Sequence, residues 1–100
     1  MIIVTGTARF AAGEIDRLQE QLAAYVDEVR RRDGCISYSY ARDINDPDVL
    51  RIVEQWRDEP AIDAHMSNMG ALMDALAGSK MEGLSVKAYA AEYKRTLMGD

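Results

Sequence analysis

Six apolar side chains, Ile15, Leu18, Leu22, Tyr25, Val26 and Val29, recur at the spacing of one helical face. Between them stand Asp16, Arg17, Gln19, Glu20, Gln21, Asp27 and Glu28. A helix from Glu14 onward must therefore bury one side and wet the other, and the buried side needs a second layer to pack on. The flanking segments supply it. Residues 2 to 9 are rich in β-branched side chains, and Ala12-Gly13 ends that run. Asp33-Gly34 closes the helix, because glycine accepts the left-handed conformation common at helix ends.

Residues 35 to 42, Cys-Ile-Ser-Tyr-Ser-Tyr-Ala-Arg, alternate with period two, which sets Ile36, Tyr38, Tyr40 and Arg42 on one face and Cys35, Ser37, Ser39 and Ala41 on the other. Turn chemistry at residues 43 to 48, with Asn45, Asp46 and Pro47, implies a hairpin. Val49 to Arg57 is the return strand, with Leu50, Ile52, Glu54 and Trp56 on one face. Asp58-Glu59-Pro60 has the composition of a helix start with Asp58 as cap, and helix is predicted from Pro60 toward Ala77 with a break near Ser67-Asn68 or Gly70. A last strand is predicted over Leu84 to Tyr93, followed by a tail.

The order β-α-β-β-α-β is that of an α+β, ferredoxin-like split βαβ sandwich, a four-stranded antiparallel sheet with helices on one face. At 100 residues the chain is expected to be one domain, residues 1–100 with a core of about 2–93 and a short C-terminal tail. The uncovered sheet face needs a cover, and pairing two such faces would give a homodimer in the form of a dimeric α/β barrel.

Hydrophobic residues make up 48% and charged residues 29% of the chain, the balance of a folding domain. The net charge of -5 repels phosphate backbones and anionic bilayers, so no nucleic acid and no membrane partner is expected. The run Arg30-Arg31-Arg32 is expected to complement the dipole at the end of the first helix. A single cysteine, Cys35, excludes an intrachain disulfide. The N-terminal residues lack a signal-peptide pattern and no apolar run reaches spanning length, so a cytoplasmic protein is expected.

The seven glycines match no phosphate-binding fingerprint, and one His with one Cys far apart cannot anchor a usual zinc site, so no cofactor and no metal is indicated. His65 is the only side chain whose ordinary pKa lies near neutrality, which makes it the first candidate for proton transfer. It could equally satisfy a neighbouring carboxylate, Glu54 or Asp63. Trp56 has two roles open to it, since a lone Trp on a sheet is more often core than ligand platform. Met66, Met69 and Met73 fall at helical spacing, suited to filling a core or accepting varied apolar ligands. Tyr38 and Tyr40 would sit beside Trp56 if the hairpin pairs in register.

Gly34-Cys35 opening a strand, Tyr38, the Asn45-Asp46-Pro47 turn, Glu54-Gln55-Trp56 and Ala61-Ile62-Asp63-Ala64-His65 together resemble the antibiotic biosynthesis monooxygenase (ABM) family, with small quinol monooxygenases as relatives. The resemblance implies a dimeric α+β barrel with a pocket in each subunit between sheet and helices. It implies an oxidoreductase that oxidises a hydroquinone or polycyclic phenol with O2 and without a cofactor, the substrate itself passing an electron to oxygen after losing a proton. Carried onto this chain, Trp56 is a pocket wall and His65 a pocket-edge base or hydrogen-bond donor, with Tyr38, Tyr40, Glu54, Met66, Met69 and Met73 around a small aromatic or quinol-like ligand. Haem-degrading relatives use an asparagine on the first strand, where this chain offers Thr5 and Thr7, and polyketide-oxidising ones place an asparagine where this chain has Ile52. A second function class stays open, a non-catalytic dimeric small-ligand-binding or stress-response module of the same fold.

Overall fold

The computed structural model describes residues 1–100. The chain runs β1 (Ile2–Phe10), α1 (Glu14–Val29), β2 (Cys35–Asp43), β3 (Asp46–Trp56), α2 (Glu59–Met66), α3 (Gly70–Leu76) and β4 (Met81–Ala90). One antiparallel sheet has the order β2-β3-β1-β4, the ferredoxin-like arrangement, with the three helices on one face. The helix-side row of β1, Ile2, Val4, Ala8 and Phe10, joins Leu50, Ile52 and Trp56 of β3 and the full apolar stripe of α1 in one core. Every residue that the periodicity of α1 assigned to its inner face is buried.

The hairpin is tighter than residues 43 to 48 suggest. Asp43 pairs with Asp46, leaving Ile44-Asn45 as the turn, and the Asn45 amide donates to Asp43 Oδ1 at 2.8 Å. Pro47 lies inside β3 near its start, beyond the last β1 partner at Val49, so its missing N–H interrupts no central ladder. At the other end of β2 the alternation fails: the register slips between Cys35 and Ser37, so Cys35 sits opposite Trp56 and packs on the core while Ile36 is exposed.

β4 differs from the sequence-based expectation at both ends, running from Met81 to Ala90 instead of Leu84 to Tyr93, whereas the break in the second helix falls where the sequence placed it. β1 sets the register of β4, from Phe10 opposite Met81 through to Ile2 opposite Ala90. The second helix is split where Ser67 Oγ and Asn68 Nδ2 donate to the carbonyls of Asp63 and Ala64, taking up the helix's last acceptors. Asp58 is the N-cap of α2, its side chain accepting from the Ala61 amide.

Gly34 makes the turn from α1 into β2 possible. It has a φ of 79°, its carbonyl accepts from the Arg57 amide at 2.8 Å, and a Cβ there would run into the Ala61 methyl at the start of α2. Gly34→Ala is expected to cost about 1–3 kcal/mol, from left-handed backbone strain and displacement of α2. Chemical denaturation should show a lower midpoint with an unchanged slope.

Candidate functional site

β3 presents Leu50, Ile52, Glu54 and Trp56 toward the helices, which places one carboxylate in an otherwise apolar row. Glu54 faces Val4 on β1 and Tyr38 on β2, and Trp56 faces Ile2 and Cys35. The Trp56 indole Nε1–H donates to Glu54 Oε1 at 2.9 Å inside the protein. α2 then lays His65 over both. The imidazole stacks on the indole with ring centres 4.7 Å apart and meets Tyr38 edge-on at 5.4 Å.

His65 has a polar neighbour on each side, and only one is within hydrogen-bond reach. Arg32 Nη1 lies 2.7 Å from Nδ1, and Nε2 is 3.9 Å from Glu54 Oε1, beyond hydrogen-bond length. A guanidinium has donors and no acceptor, so Nδ1 must offer its lone pair and the ring proton resides on Nε2. Arg32 is itself tied down by its Nη2 donating to the Asn68 carbonyl at 2.8 Å. Burial, reinforced by the adjacent Arg32 cation, lowers the His65 pKa from 6.5 to about 4, so the ring is neutral at physiological pH. Burial acts oppositely on Glu54, raising its pKa against the opposing pull of the Trp56 hydrogen bond.

The tyrosines complete the ring cluster. Tyr38 and Tyr40 share a hydroxyl–hydroxyl bond of 2.7 Å, and burial raises the pKa of both phenols. Tyr25 of α1 packs edge-on to Tyr38 at 6.2 Å, and its own hydroxyl is buried without a partner.

Next to this cluster lies a cavity of about 520 Å³ between the sheet and α2–α3. Val4, Ala8, Leu50 and Ile52 floor it, Ile62, Met66, Met69, Leu72 and Met73 roof it, Leu84, Val86 and Ala88 of β4 flank it, and Glu54, His65, Tyr38 and Tyr40 supply its polar inner end. Of the candidates named from sequence, all but Trp56 line this space. Trp56 is fully buried behind His65 and Glu54, so it supports the wall instead of forming it. Glu59 and Asp63 also line the cavity but are exposed. No three His, Cys, Asp or Glu side chains converge in a way that could hold a metal ion.

Arg32 is the site residue that the sequence did not single out. Arg30-Arg31-Arg32 stand directly at the end of α1, with Arg30 as its C-cap, where the sequence placed them. Two of them have further partners: Arg30 donates to the Tyr38 carbonyl at 2.9 Å, and Arg32 turns inward. The available signal was spacing: Arg32 follows Val29 by three residues, extending the buried stripe of the helix.

The chain is thus an α+β domain of the ferredoxin-like class, with a helix-side apolar cavity that ends in a buried carboxylate, an imidazole and paired phenols. Within that class, the chain belongs to the antibiotic biosynthesis monooxygenase family, whose model matches residues 1–72. It is similar to a candidate antibiotic biosynthesis monooxygenase from Deinococcus radiodurans, with 29% identity and a TM-score of 0.89 over 99% of this chain and 100% of the other. A candidate member from Nitrosomonas europaea shares 17% identity and a TM-score of 0.82, over 93% and 100% of the two chains. A protein of Pseudomonas aeruginosa shares 22% identity and a TM-score of 0.77, over 92% and 94%. At those last two identities the likeness shows the fold alone. No curated protein matches the chain.

The neutral, buried state of His65 has a measurable cost in acid. As pH falls below about 6.5 the unfolded chain takes up the imidazole proton first, so stability should fall between about pH 6.5 and 4, by about 2–3 kcal/mol from this group. Glu54 contributes with the reverse sign: its raised pKa favours the folded state in acid, and that contribution is lost as pH rises through its folded pKa. Denaturant titrations at stepped pH should show a steeper loss between pH 6.5 and 4 in the wild type than in His65→Gln. Nitrogen NMR at pH 7 should show the proton on Nε2.

Proposed function

We propose that the chain is a cofactor-independent monooxygenase that takes a hydroquinone or polycyclic phenol into the helix-side cavity and oxidises it with O2. What carries this is the pairing, in one half-open cavity, of an apolar ring-sized volume with a polar inner end that can receive a hydroxyl. The volume of about 520 Å³ falls within the roughly 300–1,000 Å³ usual for small-ligand sites. Family membership supports the same chemistry.

The substrate supplies the electrons. Loss of a proton leaves an electron-rich anion, one electron passes to O2, and recombination of the radical pair forms a C–O bond. For a ring CH2, loss of water from the resulting hydroperoxide leaves a carbonyl, so one oxygen atom enters the product and the other leaves as water. The protein holds the ring between Met66, Met69, Met73 and the sheet, with Tyr38 and Tyr40 at the hydroxyl. His65 offers its Nε2–H to the developing oxyanion, and Trp56 fixes the ring plane of His65 from behind. Preorganised donors in a dry site are the usual source of such stabilisation.

In the same proposal, residues 1–100 are one domain in a cytoplasmic setting, and two copies pair through the open sheet face. That face carries Val53, 46% exposed, among Thr5, Thr7, Arg51, Ser85 and Lys87.

Oxygen consumption by metal-stripped protein over a panel of quinols and anthrones should exceed the buffer rate for at least one member, and His65→Ala should lower kcat/KM for it by roughly 10²-fold or more. Ligand binding, read by Trp56 fluorescence, with no turnover of any member would overturn the oxygenase assignment in favour of a binding or stress-response module. Light scattering should give a dimer for the wild type and a monomer for Val53→Asp, since a buried unpaired carboxylate opposes the interface.

A further inference from the structure

We propose that Glu54, not His65, takes the proton from the substrate hydroxyl, and that Arg32 is the positioning residue that keeps His65 from doing so. This rests on the cavity being the substrate site, as above.

A base needs a free lone pair that the substrate can reach. His65 has one lone pair, on Nδ1, and Arg32 Nη1 occupies it at 2.7 Å. The guanidinium cannot give up its place easily, because its other arm is bound to the Asn68 carbonyl and its side chain is only 19% exposed. What His65 turns toward Glu54 is an N–H, which can donate to an oxyanion but cannot accept a proton. The groups around Glu54 leave it as the remaining acceptor. Tyr38 and Tyr40 on β2 hold each other's hydroxyls and are kept protonated by burial. Cys35, opposite Trp56, has its thiol pKa raised as well. α1 contributes the neutral Tyr25, and Arg32 beyond its end faces His65, while β1 and β4 bring Val4 and Ala88 with no charge. Lys87 touches the cavity edge, but it pairs with Thr5 of β1 and so belongs to the open sheet face, where it is exposed.

Glu54 is the one buried carboxylate among the lining residues. Its Oε1 is fixed by the Trp56 indole, which orients the carboxylate and lowers its basicity by less than burial raises it. The transfer is charge-neutral for the cavity. The substrate O–H bond breaks, its electron pair stays on the phenolic oxygen, and the proton binds the carboxylate. One buried negative charge thus moves from Glu54 to the substrate, where the His65 Nε2–H and the new carboxyl O–H can both donate to it. The number of buried charges is unchanged by the exchange, and these two donors offset the burial that by itself keeps a phenol protonated.

The test needs no turnover. A chromogenic nitrophenol, added at a pH below its own pKa, should show the phenolate absorption band on binding to the wild type. Glu54→Gln keeps an oxygen for Trp56 to bond and should bind the nitrophenol with the band abolished. On a quinol that the wild type consumes, Glu54→Gln should lose roughly 10²–10⁴-fold in kcat. That loss should shrink for substrates already ionised at the assay pH. Arg32→Met should convert the single Nε2–H signal of His65 in nitrogen NMR to a mixture of tautomers and raise its titration midpoint, a change that loss of packing alone would not produce.

A wild-type protein that shows no phenolate band overturns the assignment, as does a Glu54→Gln variant that keeps the band or the full rate. An unaltered His65 tautomer in Arg32→Met overturns the role given to Arg32. A Glu54-dependent band without oxygen consumption on any substrate would instead leave Glu54 as the acceptor and remove the oxygenase function.

Discussion

A carboxylate in the middle of an apolar sheet face is the constraint around which the rest of the structure is arranged. Glu54 is buried on the central strand β3, where an unpaired charge would cost several kcal/mol. Its direct partner is the Trp56 indole N–H, two residues along the same strand. That bond requires Trp56 to point inward, and the flat indole then offers a stacking surface for His65. The imidazole in turn accepts from Arg32, so β3, α2 and the end of α1 converge on one polar thread through the core. The many ion pairs on the outer surface, such as Arg9–Asp46 and Arg42–Asp16, are solvent-exposed and contribute little by comparison.

The parts of this arrangement that follow from local periodicity were legible in the sequence. The stripe of α1 and the alternation of β3 each place side chains by a fixed rotation per residue, so their inner faces could be written down directly. The Asp58 cap and the break at Ser67-Asn68 are local side-chain chemistry and were equally visible. What escaped was set by contacts distant in the chain. The start of β4 is fixed by its pairing with β1, and the exposure of Ile36 by a bulge that only the β3 register reveals.

The site shows the same division. Spacing and family likeness pointed to the residues that line the cavity, because a row of methionines on one helix and a row of large groups on one strand must face each other across the layer. They could not show that Trp56 stands one layer back, since that depends on how closely α2 settles on β3. Nor could they fix the proton on His65. That is determined by Arg32, 33 positions away, approaching Nδ1 across the turn at Gly34.

The split between α2 and α3 gives the cavity walls unequal rigidity. The floor is the hydrogen-bonded centre of the sheet, whereas much of the roof is α3, seven residues long, without a side-chain cap and with Leu72 as its one buried residue. A helix of that length has little stability of its own and holds its form by resting on α1 and on the cavity edge. Its amides belong among the first in the molecule to exchange with solvent. Local melting of those roughly two turns of helix would widen the cavity mouth while Glu54 on β3 and His65 on α2 keep their places.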